Sequence, residues 1–191
     1  ELPEEIGTLV NLTVLQAKNN HIVQLPASIE KLTNLEVLSL HGNQIKALPE
    51  GMGKLVNLKQ LDLSNNKLKR IPESLGNLVK LEKLALGNNI LDELPASFSK
   101  LVLLSNLSIK YNAFDTLPDY LSSFTALTSL NLSYNAILEL PADFGNLTQL
   151  KEFNCERNGL KGLPASIGAL IELEDLNVSL NVLEVLPPTL G

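Results

Sequence analysis

Nine of the ten prolines recur at one interval of 23 residues along the whole chain. They stand at positions 3, 26, 49, 72, 95, 118, 141, 164 and 187. Because the interval is kept without insertion or deletion, one structural unit is written eight times. Units of this size cannot bury their apolar face alone and must stack on one another. Function is therefore expected on a surface built from stacked units.

Each unit carries the pattern L-x-x-L-x-L-x-x-N, which with this period is typical of a leucine-rich repeat. In residues 58–66, Leu61 and Leu63 alternate with polar residues, which predicts a short half-buried strand. Parallel strands then lie about 4.8 Å apart, so that residues one repeat apart become lateral neighbours. The pattern predicts an α/β solenoid, a curved right-handed horseshoe with its parallel sheet on the concave face.

The segment after each repeated proline is predicted to form a short 3₁₀ or α segment on the convex face. Pro72 suits a first helical turn, and the apolar Leu75 and Leu78 follow three residues apart. We expect residues 1–191 to form a single solenoid of about eight repeats. The chain opens at Glu1 in mid-repeat and carries no amphipathic cap, so we expect an excerpt of a longer protein.

The asparagine at the ninth motif position is predicted to be structural. The chain turns inward there after its strand, and one carboxamide supplies two donors and an acceptor for backbone groups that lack sheet partners. These residues are Asn20, Asn43, Asn66, Asn89, Asn112, Asn135, Asn158 and Asn181.

Charge and composition exclude several classes of partner. The net charge is −6 with a pI near 5.0 and the cations are scattered, which disfavours nucleic acid. No apolar stretch approaches the roughly 20 residues of a membrane helix, so membrane insertion is not expected. The lone Cys155 takes a position that other repeats fill with leucine and is predicted to be a small buried hydrophobe. A single cysteine favours a reducing compartment, and hence the cytoplasm.

No constellation for catalysis or for a cofactor is recognisable. The two histidines, His21 and His41, are not one repeat apart and cannot be given a triad, and no metal or phosphate motif occurs. Glu152 and Asp175 share one outward position on neighbouring repeats, with Glu156 nearby. They could receive a basic partner segment, whereas a solvated acidic face is the alternative and a Ca²⁺ site is disfavoured. The sequence predicts no enzyme, no metal and no cofactor.

The eighth motif position changes character along the chain. It holds Asn or Gly in the first four repeats and then Tyr111, Tyr134, Arg157 and Leu180. Large residues of this kind anchor protein interfaces, although aromatic stacking and a cation–π contact would also account for them. The predicted partner-binding set is Lys110, Tyr111, Asn131, Tyr134, Glu152, Asn154, Arg157, Asp175, Asn177 and Leu180.

The combined pattern L-P-x-x-[IFL]-[GS]-x-L-x-x-L-x-x-L-x-L-x-x-N-x-[LI]-x-x resembles the 23-residue repeats of Ras-group intracellular leucine-rich repeat proteins. That group contains Scribble, Erbin, Ras suppressor protein and related plant proteins. The resemblance covers the whole chain, but the matching residues are scaffold residues. It implies a cytoplasmic protein-binding platform, at times associated with the membrane cortex through partners such as small GTPases or phosphatases.

Three hypotheses about function follow. The first is a non-catalytic scaffold or recognition module that binds a partner protein on the concave face. The second is the regulatory repeat domain of a larger enzyme, such as a kinase, phosphatase, cyclase or Roco-type GTPase. The third is an extracellular recognition receptor, for which N-x-[ST] triplets would be glycan acceptors. These triplets begin at Asn11, Asn106, Asn131, Asn146 and Asn177, and the repeat itself generates them.

Overall fold

The computed structural model describes residues 2–190, which form a solenoid around one parallel sheet. Within these residues the sheet has eight strands, in the order in which the chain supplies them. We call each 23-residue repeat a rung and number the rungs by their strands. The strands are β1 (Val14–Gln16), β2 (Val37–Ser39), β3 (Gln60–Asp62), β4 (Lys83–Ala85), β5 (Asn106–Ser108), β6 (Ser129–Asn131), β7 (Glu152–Asn154) and β8 (Asp175–Asn177).

Every convex segment in the described residues is a 3₁₀ helix rather than an α-helix, with bonds between residues three apart such as that from Leu78 N–H to the Leu75 carbonyl oxygen. A proline precedes most of them and holds an extended conformation, as at Pro72 with φ −68° and ψ 145°. The segments are Glu4–Thr8, Ala27–Lys31, Glu50–Lys54, Glu73–Asn77, Ala96–Lys100, Asp119–Ser123, Phe144–Asn146, Ala165–Ala169 and Pro188–Leu190. The predicted horseshoe with a parallel sheet and short outer helices is thus confirmed.

The register of the sheet places residues one repeat apart side by side. Leu61 lies opposite Leu84, and Glu152 lies opposite Asp175. The inward leucines form a continuous buried column, in which Leu58, Leu61 and Leu63 are at most 1% exposed. The column is not purely aliphatic, because all five phenylalanines are buried in rungs 5 to 7. These are Phe98, Phe114, Phe124, Phe144 and Phe153.

The ninth-position asparagines join each rung to the one before it. The Asn89 carboxamide oxygen accepts the backbone N–H of Leu68 at 2.9 Å, in the preceding rung. Its nitrogen donates to the carbonyl oxygens of Leu63 at 3.1 Å and Leu86 at 2.9 Å. The same bonding pattern recurs at Asn43, Asn66, Asn112, Asn135, Asn158 and Asn181. One side chain therefore satisfies backbone groups of two rungs at once.

Two further contacts tie neighbouring rungs together. The Glu73 carboxylate accepts the backbone N–H groups of Ala96 at 3.2 Å and Ser97 at 3.0 Å. Hydrogen bonds from Ser97 lower the pKa of the Glu73 carboxyl group. On the sheet side, Lys59 Nζ lies 2.8 Å from Glu36 Oε2, which is a lateral pair of opposite charges on neighbouring rungs.

Removing one ladder carboxamide should destabilise the fold. Asn89→Ala leaves the backbone N–H of Leu68 without its acceptor and removes one of the two carboxamide donors from the carbonyl oxygens of Leu63 and Leu86. We expect the free energy of unfolding to fall by about 1–3 kcal/mol. Asn77→Ala is the control, because Asn77 is exposed and its side chain makes no hydrogen bond within residues 2–190. Urea denaturation measures both variants. Equal stability of the two would contradict a structural ladder.

A glycine column on the convex face should also be intolerant of a methyl group. A Cβ at Gly76 would lie 2.5 Å from the Ser97 carbonyl oxygen, whereas a Cβ at Gly162 meets no described atom within 4 Å. We expect Gly76→Ala to destabilise the protein by about 1–3 kcal/mol through overpacking between rungs. Gly162→Ala should be close to neutral. The pair is compared by thermal unfolding, and a neutral Gly76→Ala would show that the rungs can separate without loss.

Candidate functional site

The residue at the eighth motif position has a left-handed backbone in every rung. Its φ is +54° at Tyr111, +56° at Tyr134 and +68° at Gly42. This conformation turns the chain out of the strand while its N–H still bonds to the next rung. The backbone N–H of Tyr111, for example, donates to the carbonyl oxygen of Ser133 at 2.9 Å.

The first four rungs fill this position with residues that tolerate a positive φ, and the last four do not. Asn and Gly enter the left-handed region with little strain. Other residues lose about 1–2 kcal/mol there because Cβ approaches a carbonyl oxygen. Rungs 5 to 8 nevertheless place Tyr111, Tyr134, Arg157 and Leu180 at the strained position. We call these four residues the rim column.

The rim column is a continuous stack. The rings of Tyr111 and Tyr134 lie with centroids 4.1 Å apart and planes 16° from parallel. The guanidinium carbon of Arg157 lies 5.4 Å from the centroid of Tyr134. Leu180 extends the column and is 64% exposed, while Tyr111 is 45% exposed. The predicted aromatic stacking and cation–π contact are therefore present, and the stacked residues also offer exposed surface, whereas their role as an anchor for a partner stays a prediction.

Acidic and hydroxyl groups surround the stack. The hydroxyl of Tyr134 points toward Glu156 Oε1 at 3.4 Å. The neighbouring Tyr111 hydroxyl, and then the Glu156 carboxylate, raise the pKa of Tyr134 above its usual value. A shallow hollow of about 390 Å³ opens beside the stack, between Asn88 and Arg157. Tyr111 is the last ring of the stack on this side, because the preceding rung has Asn88 at the eighth motif position.

The three predicted contacts on the fifth motif position form a column of their own. Asn131 lies opposite Asn154, and Asn154 lies opposite Asn177. Each carboxamide oxygen accepts the backbone N–H two residues later, as from Asn131 to Ser133 at 3.0 Å. These Asx turns occupy the oxygens, so that the amide nitrogens of Asn131 and Asn154 remain the groups that a partner can reach. They also give the N-x-S triplets at Asn131 and Asn177 a structural reason.

The acidic residues of rungs 7 and 8 face the concave side. Glu152 and Asp175 are Cα partners in the sheet, and Glu152 Oε2 accepts the hydroxyl of Ser129 at 2.9 Å. Glu156 Oε2 accepts the amide of Asn177 at 3.3 Å. Within residues 2–190, no group of three or more acidic, histidine or cysteine side chains is arranged to hold a metal ion.

A central hollow on the concave face was not predicted from the sequence. It has a volume of about 470 Å³ and spans rungs 1 to 6, with small residues such as Ala85 and Ser108 along its floor. Lys83 lines it, whereas the stem of Lys110 lies close to Gly87, outside the lining residues. The hydroxyl of Ser39, a residue only 4% exposed, also lines it and has no hydrogen-bond partner among the described residues. The run of small residues on neighbouring rungs is the feature of the sequence from which this hollow could have been predicted.

A histidine, a serine and an aspartate do meet in this region, which corrects the sequence-based view that His41 has no such neighbours. Ser64 Oγ lies 2.8 Å from His41 Nδ1 and 2.5 Å from Asp62 Oδ1. Because a carboxylate can only accept, the hydroxyl proton of Ser64 is donated to Asp62, and Ser64 is then left to accept from His41 Nδ1. A serine held in the middle in this way is not activated by the imidazole, and the trio is a structural hydrogen-bond chain.

Cys155 is fully buried beneath the sheet, in agreement with its reading as a small core residue. Burial raises the pKa of its thiol to about 12. The thiol is therefore neutral and inert at ordinary pH.

Comparison with known families now decides the class of protein. A profile of the leucine-rich repeat region matches residues 1–65 and 50–134, and a profile of the leucine rich repeat matches residues 126–147. The chain belongs to the leucine-rich repeat family. Neither profile describes a catalytic domain, and the repeat is typically a binding module. A search of curated protein sequences gave no match.

Solved leucine-rich repeat structures superpose closely on this one. A leucine-rich repeat protein of Leptospira interrogans is 32% identical, with a TM-score of 0.90 over 99% of this chain. The plant peptide hormone receptor RGFR1, in complex with RGF2, is 31% identical, with a TM-score of 0.86 over 94% of this chain. The Arabidopsis receptor kinase HAESA, in complex with the peptide hormone IDA and the co-receptor SERK1, is 28% identical, with a TM-score of 0.81 over 95%.

The matched proteins are longer than this leucine-rich repeat chain. It spans 54% of the Leptospira protein, 30% of the RGFR1 chain and 36% of the HAESA chain. None of the helices within residues 2–190 has the length and apolar character needed to cross a membrane.

Proposed function

We propose that this solenoid is a non-catalytic recognition module that binds an extended segment of a partner protein across its concave face. The observation that carries the proposal is the strain in the rim column. Tyr111, Tyr134, Arg157 and Leu180 stand at positive φ, where rungs 1 to 4 use Asn or Gly. Side chains kept against their backbone preference tend to mark functional positions.

The chemistry of the rim column suits an anchor for a protein partner. Tyr and Arg are enriched among residues that dominate binding energy, and stacked rings lose little freedom when they are covered. A sheet with every strand paired to its neighbours is a rigid platform, so that little ordering entropy is lost on binding. The structural neighbours HAESA and RGFR1 were solved with peptide ligands, which supports an extended ligand here.

Our proposals for the compartment and the class of partner rest on the resemblance of the repeat to the Ras-group type. We place the protein in the cytoplasm, as a Ras-group type of repeat that acts in small-GTPase or phosphatase signalling. The single buried Cys155 supports this placement. A second candidate, an extracellular peptide receptor, is favoured by the likeness to plant receptor ectodomains. A regulatory role beside a catalytic domain is the third, and HAESA shows that such repeats occur in a receptor kinase.

Replacing both rim tyrosines by asparagine should separate binding from stability. We expect Tyr111→Asn with Tyr134→Asn to lower the amount of captured partner at least tenfold in affinity capture from a lysate. The melting temperature should be nearly unchanged, because relief of about 1–2 kcal/mol of backbone strain per residue offsets the lost stacking.

The matched control is Val56→Asn with Val79→Asn. These valines are 44% and 47% exposed on consecutive rungs, in the turns that precede β3 and β4. The control should capture the same proteins as the wild type. Capture that persists after the tyrosine substitutions would reject the rim column as the binding site.

Cell fractionation tests the compartment. We expect the full-length protein in the cytosolic fraction, with no change in electrophoretic mobility after treatment with an N-glycosidase. The Asx turns at Asn131 and Asn177 account for these triplets without a glycan. A glycan found on either residue would favour the receptor alternative instead.

A further inference from the structure

The charges of the concave face are separated along the solenoid. We consider the outward motif positions 3, 5, 7 and 8. In rungs 1 to 5 these hold the cations Lys18, Lys83 and Lys110 against one acid, Asp62. Rungs 6 to 8 reverse the balance, with the acids Glu152, Glu156 and Asp175 against one cation, Arg157. The concave face is therefore basic in rungs 1 to 5, which we call the basic end, and acidic in rungs 6 to 8, which we call the acidic end. The whole chain nevertheless carries a charge of −6.

The charges at the second motif position of the same rungs are arranged differently. At the second motif position the signs alternate, and the charges neutralise one another across rungs. Lys59 Nζ lies 2.8 Å from Glu36 Oε2, and Lys151 Nζ lies 3.2 Å from Glu174 Oε1. None of the ion pairs within residues 2–190 includes Lys83, Lys110, Glu152 or Asp175. Their charges are available to a partner.

The basic end lies beside space for a ligand. Lys83 stands on the same strand as Ala85, and the stem of Lys110 lies over the buried Gly87. Lys83 therefore borders the central hollow, and Lys110 lies on the next rung, outside the residues that line it.

The buried Ser39 hydroxyl, which lacks a partner among the described residues, lies in the same hollow. Asp62 also lines the hollow, on rung 3, where its Oδ1 accepts the backbone N–H and the hydroxyl of Ser64. An acidic group is therefore best placed over rungs 4 and 5, which carry Lys83 and Lys110.

The spacing of the two ends fits a short stretch of extended chain. Rungs 4 and 5 are separated from rungs 7 and 8 by three strand spacings, or about 14 Å. An extended peptide covers that distance with about four or five residues. We propose that the bound segment is dipolar, with an acidic and a basic residue at separate positions; this proposal rests on the function proposed above. Its acidic residue lies over Lys83 and Lys110, and its basic residue lies over Glu152 and Asp175, about four or five residues away.

The same separation fixes the direction of the segment. Turned end for end, the segment would bring an acid onto Glu152 and Asp175 and a base onto the two lysines. Like charges placed together oppose binding, so that the reversed orientation is disfavoured. The rim column supplies the anchor, and the two charged ends select the partner and its orientation.

Selection from a peptide library tests the proposal without knowledge of the natural partner. Random peptides of about 12 residues are long enough to span the sheet at about 3.3 Å per residue. They are displayed on phage and selected on the wild-type protein. We expect the selected peptides to share an acid and a base, in one fixed order and about four or five residues apart. The best peptide is then synthesised together with an analogue in which every charge is inverted.

A charge-exchanged protein provides the decisive comparison. It carries Lys83→Glu, Lys110→Glu, Glu152→Lys and Asp175→Lys together, so that the net charge stays at −6. All four side chains are exposed, and circular dichroism confirms that the fold is kept. We expect the wild type to bind the selected peptide at least tenfold more tightly than its inverted analogue, and the exchanged protein to show the opposite preference. The same preference in both proteins would overturn the proposal.

Two outcomes separate this proposal from the function on which it rests. Selected peptides that lose binding with Tyr111→Asn and Tyr134→Asn, but share no order of charges, would overturn the dipolar ligand and keep the recognition module. Selected peptides that are indifferent to both tyrosine substitutions would overturn the module and the dipolar ligand together.

Discussion

One carboxamide per rung makes the solenoid possible. A chain that turns inward after each three-residue strand leaves backbone groups that the sheet cannot pair, and burying them unpaired would cost about 1–3 kcal/mol per group. Asn89 and its counterparts bond to the rung before as well as to their own. The constant spacing of 23 residues places each carboxamide in the same position relative to its partners in the preceding rung. The regular surface on which binding depends follows from it.

The two halves of the solenoid share a scaffold and differ in what they present. From rung 5 onward the core contains phenylalanine and the rim column contains Tyr111 and Tyr134. The rim residues lie in a backbone conformation that costs them about 1–2 kcal/mol each. Stability is a sum over neighbouring rungs, so that a few strained positions are carried by the leucine column that runs through all of them. A recognition surface can thus be added to the scaffold without changing it.

The fold followed almost entirely from the sequence, because its period is uninterrupted and each strand shows the alternation seen at Leu61 and Leu63. The stacking of Tyr111 on Tyr134 followed from the same period. The positive φ beneath them was missed, although Asn19, Asn65 and Asn88 in the same column signalled it. The contacts among His41, Ser64 and Asp62, and the central hollow, depend on side-chain conformations and on the curvature of the sheet. A linear pattern does not specify either of them.

The hydrogen bonds that link successive rungs also determine how the molecule would respond to tension. No strand has a partner within its own rung, since each pairs only with the strand before and the strand after. Tension along the solenoid therefore acts on the bonds between neighbouring rungs, so that one rung can separate while others stay paired. Each event releases one repeat, roughly 75 Å of extended chain. Such a solenoid behaves as a stepwise extensible tether rather than as a single mechanical unit.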